Sequence, residues 1–187
     1  MDAPSLETSF TGLTMRCGTC SAQWEAPAAR FVNVQTDPDA RLGLLLDSMH
    51  YTHCPVCRER RPVEMIFDYY DPDRKLLVQV RPEWEYEAGG GEDWYWARYE
   101  DLVTKYAEVD VQVDVVFGRQ QIVDKYLGGE EAVAAARQEW AERRARAEEL
   151  AAAEAESDVD APVDGTSDTA ESAEAETDVV ASSGDAG

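Results

Sequence analysis

Positive charge is missing from the end of this chain. Every Lys and Arg lies between Arg16 and Arg146, while residues 151–187 hold eleven acids and no base. The formal charge of the 187-residue sequence is -22. Residues 1–150 carry 28 acids against 17 bases, so the body is acidic even without its tail. Nucleic acids and anionic bilayers attract proteins through Lys and Arg, and this balance argues against both as general partners.

Long apolar runs are missing as well. The longest aliphatic run is Leu44-Leu45-Leu46, far short of the ~20 residues that cross a bilayer. The N-terminus, Met1-Asp2-Ala3-Pro4-Ser5-Leu6-Glu7, has neither the basic segment nor the apolar segment of an export signal. A soluble, cytoplasmic protein is expected, with no membrane partner.

Cysteine is scarce, and its placement is the strongest signal present. The four cysteines form two Cys-x-x-Cys units, Cys17-Gly18-Thr19-Cys20 and Cys54-Pro55-Val56-Cys57. In a reducing compartment such pairs point to metal rather than to disulfides. Two knuckles supply four thiolates at the corners of a tetrahedron, which is the donor set of a structural Zn²⁺ site with no open position. Cys17, Cys20, Cys54 and Cys57 are therefore the expected ligands of one structural zinc ion. Thirty-three residues separate Cys20 from Cys54, more than a compact ribbon needs. A thiol–disulfide role is the competing reading, but such motifs usually sit at a helix N-terminus, and neither pair is followed by a clear helix. His50 and His53 precede Cys54 and would be surplus to a complete Cys₄ shell.

Periodicity sets out the rest. Residues 1–10 read as a flexible leader. Leu13 and Met15 alternate with polar neighbours into Cys17, and Gln23–Ala26 reads as the return strand. Phe31, Val32 and Val34 suggest a further short strand. Asp37-Pro38 opens a helix over about Pro38–Ser48, with Leu42, Leu45, Leu46 and Met49 at helical spacing. Tyr51–His53 leads into Cys54 as a strand, and Arg58–Pro62 reads as a basic turn. Val63–Tyr70 and Lys75–Arg81 form a hairpin about Asp71-Pro72-Asp73, with Leu76, Val78 and Val80 on one face.

Residues 83–93 read as loop, with a helix over Trp94–Tyr106 to follow. Val109–Phe117 alternates strictly, which places Asp110, Gln112 and Asp114 on the face away from the valines. Arg119–Leu127 is a short helix. Glu130–Glu156 is rich in Ala, Glu and Arg with few apolar anchors, Val133 and Trp140 among them, and reads as a long exposed helix. From Ser157 the composition predicts disorder. The expected organisation is a leader (1–10), a zinc-binding domain (11–128), an exposed charged helix (129–156) and a disordered acidic tail (157–187). The fold class is α+β: a zinc-ribbon-like Cys₄ unit joined to a small antiparallel sheet with flanking helices.

Three stretches together resemble the CpXC domain proteins of bacteria and archaea. They are Cys17–Cys20 followed by Phe31-Val32-Asn33-Val34-Gln35-Thr36-Asp37-Pro38 and a short helix; Cys54-Pro55-Val56-Cys57; and Phe67-Asp68-Tyr69-Tyr70-Asp71-Pro72-Asp73-Arg74-Lys75-Leu76-Leu77-Val78-Gln79-Val80 closed by Pro82. The resemblance covers about Thr14–Leu127. It implies the fold and the cysteine site, and no reaction. This chain departs from the pattern at Gly18, where the first knuckle lacks proline, and at Arg58, where glycine is common.

The remaining candidates are surface features. Asp68, Asp71, Asp73, Glu83, Glu85, Glu87, Glu92 and Asp93 are expected to form a solvated acidic face, since no EF-hand spacing or accompanying catalytic constellation is present. Trp84, Tyr86, Trp94, Tyr95, Trp96 and Tyr99 are expected to pack a glycine-rich loop onto the sheet, with a pocket or an interface as the alternative. Arg58, Arg60 and Arg61 form a small basic cluster. The sequence is best read as a non-enzymatic module for binding another protein. The competing classes are an enzyme or redox protein using the cysteines or an acidic/aromatic cleft, and, below it, nucleic-acid binding through the ribbon.

Overall fold

A computed structural model describes residues 5–158. The chain divides into two units, Met1–Ala145 and Arg146–Gly187. The second is described as far as Asp158, as the end of one helix with exposed side chains through Ala153. The disorder expected from Ser157 falls almost wholly outside the described residues.

The first unit is built on a five-stranded mixed sheet. Its strands are β1 (Ser9–Arg16), β2 (Gln23–Asn33), β5 (Phe67–Asp71), β6 (Leu76–Arg81) and β7 (Gln112–Phe117), in the order β1-β2-β5-β6-β7. Two smaller strands, β3 (Tyr51–His53) and β4 (Arg60–Pro62), pair with each other as a separate ribbon. The expected sheet was antiparallel. It is antiparallel within the β1–β2 and β5–β6 hairpins, but β2 runs parallel to β5 and β6 parallel to β7. Each parallel step needs a long crossover. The first carries helix α1 (Pro38–Leu45) and the β3–β4 ribbon; the second carries α2 (Trp84–Ala88) and α3 (Glu92–Lys105).

Several boundaries move for physical reasons. The two strands expected at 23–26 and 31–34 are one strand of eleven residues, β2. Only Phe31–Asn33 reaches β5, so the segment from Gln23 to Ala29 has β1 as its single neighbour. Pro27 is tolerated there because no second strand needs its missing N–H. The strand expected from Val63 begins at Phe67, and the basic turn is in part strand β4. Residues 84–88, expected as loop, form a helical turn. Strand β1 starts at Ser9, two residues before the expected Thr11. Leu6 packs on the sheet core, where its carbonyl accepts from Asn33 Nδ2 at 2.9 Å.

The sheet buries both faces. One face sets Val32, Tyr69, Val78 and Val116 against Leu42, Leu44 and Leu45 of α1. Ile122 of α4 (Arg119–Ile122), Val123 and Leu127 of the π-helical turn that continues it, and Ala136 of α5 (Gly129–Asp158) complete that layer. The other face sets Phe31, Leu77, Val115 and Phe117 against Leu102 of α3 and Tyr106. Leu76, Val78 and Val80 do share a face, as their spacing requires. A third cluster of Ala26, Ala28 and Val63, with Leu13, Met15 and Trp24, joins the β1–β2 arm to the chain after the ribbon. The small alanines let that segment approach closely.

Helix α5 docks through Ala132, Val133 and Ala136. Trp140 is half exposed beside Leu42 and Leu46, and Arg143 reaches Asp39 of α1 at 2.7 Å. No helix among the described residues is long and apolar enough to cross a membrane.

Candidate metal centre

The β1–β2 and β3–β4 hairpins end in matching turns. In each turn the first cysteine ends or directly follows a strand, and two backbone hydrogen bonds close the loop. Cys17 N–H donates to Ala22 O at 2.9 Å and Ser21 N–H donates to Cys17 O at 2.9 Å. In the second turn, Cys54 N–H donates to Glu59 O at 3.0 Å and Arg58 N–H donates to Cys54 O at 2.9 Å. Ser21 and Arg58 both have φ of 62°, in the left-handed region that favours glycine. The Arg58 departure seen in the sequence is thus accommodated as a non-glycine residue in this conformation.

The hairpins bring all four thiols together. Cys17 Sγ lies 3.6 Å from Cys57 Sγ, and Cys20 Sγ lies 3.5 Å from Cys54 Sγ. The four sulfurs all fall within 4.8 Å of one another, a group that can hold a metal ion. None of these contacts is a disulfide. A tetrahedron with metal–sulfur bonds of about 2.3 Å has edges of about 3.8 Å, close to both cross-hairpin distances. Cys17 and Cys54 are buried, whereas Cys20 and Cys57 are exposed.

The turns polarise the sulfurs unequally. The N–H of Cys20 bonds to Cys17 sulfur, aided by that of Thr19 and by the Cys57 and Cys20 thiols, and outweighs desolvation to pull Cys17 down to about 6. The N–H groups of Cys57 and Val56 do the same for Cys54, which is also lowered. The Glu59 N–H favours the Cys57 thiolate, but desolvation and the neighbouring thiols outweigh it and push Cys57 up to about 12. Cys20 is raised by Cys54 and by desolvation, against the Ala22 N–H that favours its thiolate.

Arg61, on β4, stands beside the sulfurs. Its Nη2 lies 3.9 Å from Cys17 Sγ and 2.9 Å from both Thr19 Oγ1 and Glu59 Oε2. Thr19 in turn donates to Glu59, so one knuckle is tied to the other through three side chains. A Cβ on Gly18 would sit 3.3 Å from Arg61 Nη2, so a larger residue there would crowd the guanidinium. The sequence grouped Arg61 with Arg58 and Arg60 as one basic cluster. The structure separates them: Arg60 stacks on Tyr51 at 3.5 Å and donates to Asp47 O, and Arg58 is exposed at the knuckle tip.

Neither histidine joins the group of thiols. His50 Nε2 donates to Ala29 O at 3.1 Å, its ring lies 4.5 Å from that of Phe67, and burial lowers its pKa. His53 is an exposed residue of β3.

The expected acidic face is only partly solvated. Asp68 and Asp71 are buried at 3% and 4% exposure. Asp68 accepts from Gln79 Nε2 at 3.0 Å and from Lys105 Nζ and Tyr106 Oη, each at 2.7 Å. Asp114, expected to face away from the valines, does so and is nevertheless 6% exposed. It lies on the edge strand β7, where Tyr95 of α3 reaches it from one face of the sheet and Lys125 and Tyr126 of the π-helical turn from the other. Asp68 and Asp114 thus tie helices to the sheet through several donors each, whereas Asp71 accepts the Arg74 N–H at 3.3 Å within its own hairpin turn. Among the aromatics, Tyr86 packs on Phe117 and Tyr95 stacks on Tyr99, while Trp84 and Trp96 remain exposed.

A mixed five-stranded sheet with helices on both faces, carrying four thiols placed to hold a metal, defines a cysteine-clipped α+β protein. The family model described as CpXC protein matches residues 15–147, well over half of the sequence, and the chain belongs to that family. The match continues beyond Leu127 into α5, so the docked part of that helix lies within the family's domain. No curated protein and no solved structure gives a significant match to the chain.

Proposed function

We propose that Cys17, Cys20, Cys54 and Cys57 hold one Zn²⁺ in a closed structural site, as a zinc-ribbon-like clip. On this reading the protein is a non-enzymatic module that binds another protein, in the reducing cytoplasm. The observation that carries the zinc assignment is the pairing of two knuckles with the same backbone hydrogen-bonding pattern, whose sulfurs meet at 3.5 and 3.6 Å across the hairpins. All-thiolate sites of this kind select soft or borderline ions, and four thiolates leave no position for substrate. A bound metal of this class contributes on the order of 10–16 kcal/mol to folding.

The arrangement disfavours thiol–disulfide chemistry. A redox nucleophile should be both acidic and accessible. Here Cys17 and Cys54 are buried, and the exposed Cys57 and Cys20 each lie against one of them at 3.6 and 3.5 Å, so no thiol stands apart as a nucleophile. Nor do the buried carboxylates supply an acid–base pair, because Asp68 and Asp114 are each held by several donors. The engagement of Arg60 with Tyr51 and Asp47 and of Arg61 with Thr19 and Glu59 counts against a nucleic-acid patch here.

Metal analysis of the purified chain tests the site: about one zinc per chain is expected, and well-folded, metal-free protein would overturn it. Affinity capture with the full chain, compared with a version lacking residues 159–187, tests the module. A reproducible protein partner supports the reading, and the absence of any partner sinks it.

A further inference from the structure

Helix α3 covers one face of the sheet through Leu102 with Tyr95 and Tyr99, and leaves a shoulder open. By helical periodicity, residues 92, 96, 100 and 103 fall along that shoulder, with Asp93 beside them. Trp96 is 50% exposed and Val103 41%. Trp96 is not loose. Its ring meets Tyr95 and Tyr99 edge-on at 5.1 and 5.8 Å, and its Nε1 donates to Glu92 at 3.3 Å. An indole held this way presents a fixed face.

The charge around it is of one sign. Glu92, Asp93 and Glu100 are exposed and form no salt bridge among the described residues. Both bases of α3 are engaged on the opposite shoulder. Arg98 lies 4.4 Å over the Trp94 ring and pairs with Asp101, and Lys105 pairs with Asp68. Uncompensated carboxylates around an exposed indole suit a cation with an apolar stem, since a guanidinium can stack on the ring while its N–H groups reach the acids.

We propose that this shoulder of α3, centred on Trp96 and Val103 and rimmed by Glu92, Asp93 and Glu100, is a docking surface for an Arg- and Lys-bearing, amphipathic segment of a partner protein. It rests on the reading of the chain as a protein-binding module and names the face that does the binding.

The test uses the full, metal-loaded chain and a short synthetic helical peptide of Arg, Leu and Ala, with its Glu-for-Arg counterpart as control. The Arg peptide is expected to bind and to shift Trp fluorescence, and the Glu peptide is not. Trp96→Ala is expected to weaken binding by about two- to fivefold, the weight of one exposed cation–π contact. Glu100→Lys is expected to weaken it at least as much, with unchanged circular dichroism and Tm for both variants. Glu131→Lys, the same charge change on the exposed face of α5, is expected to leave the affinity unaltered. Equal losses in Glu131→Lys and Glu100→Lys would reduce the effect to general acidity and overturn the proposal, as would full affinity in Trp96→Ala. A captured natural partner retained by the Trp96→Ala/Glu100→Lys chain would sink this surface while leaving the module reading intact. Peptide binding at Trp96 without any natural partner would do the reverse.

Discussion

Ser21 and Arg58 occupy equivalent places in the two knuckles: each follows the second cysteine, each has φ of 62°, and each donates its N–H to the carbonyl of the first cysteine at 2.9 Å. The left-handed conformation costs an L-residue roughly 1–2 kcal/mol, a cost that glycine avoids. The Arg58 side chain is exposed at the tip of its turn. Arg58→Gly should therefore stabilise the protein by about 1 kcal/mol, raising Tm by about 2–4 °C in a calorimetric scan. Ser21→Gly should act in the same direction.

Arg61 brings positive charge to within 3.9 Å of Cys17 Sγ at the edge of the sulfur cluster. Outer-shell partners of this kind typically change metal affinity by about 10–100-fold. With zinc bound as proposed, Arg61→Met should weaken its retention by about tenfold in competition with a chromogenic chelator. Arg61→Lys should recover only part of that, because a single ammonium cannot serve Cys17, Thr19 and Glu59 together.

With a metal bound as proposed, its removal should loosen one region first. The β3–β4 ribbon has two strands of three residues, too little to stand alone in water. Neither of the two large core clusters contains a knuckle residue. On chelation, amide hydrogen exchange should therefore rise sharply over residues 51–62 and 17–23. The amides of Leu77, Val78 and Val116 should stay protected under the same conditions.

Asp114 ties the two helical layers together around the edge of the sheet. Burial alone would raise its pKa, but the donors Lys125, Tyr126, Tyr95 and the Val115 N–H outweigh it and hold the carboxyl below its usual 3.8. The folded value lies below the unfolded one, so its contribution is full above pH 3.8. That contribution is lost as pH falls from there through the folded value. Asp114→Asn should cost about 2–3 kcal/mol at neutral pH. In urea titrations it should also flatten the acid limb of stability between pH 4 and the lower end of the range.

The sequence announced what short-range pattern can announce. The paired cysteines, the Asp71-Pro72-Asp73 hairpin and the α1 helix opened by Pro38 all follow from neighbours within a few residues. The parallel pairings of Val32 with Tyr69 and of Val80 with Val116 join segments far apart in the chain, and no local period encodes them. Asp114 shows the limit most clearly. Strict alternation correctly placed it opposite Val113 and Val115, yet alternation says nothing about what covers that side. A π-helical turn carrying Lys125 and Tyr126 closes over the carboxylate, so a residue placed only by its face is a buried tie. Arg61 was missed as part of the sulfur site because its place depends on the β3–β4 register, which sets it opposite Thr52. The Arg-Arg-Pro run held no hint of that pairing.

Thirty-three residues lie between the two knuckles, and this spacing fixes an order in time. At about 5–20 residues per second, ribosomal synthesis leaves the first cysteine pair without its counterpart for roughly 2–7 seconds. During that interval β2 and α1 emerge, while the first turn can close on itself through its own backbone. The second turn then arrives on a ribbon of two three-residue strands, too short to keep its form alone, and settles only against the first. A metal bound as proposed would therefore have to wait for both turns, and a nascent chain stalled before Cys57 would present an incomplete set of thiols.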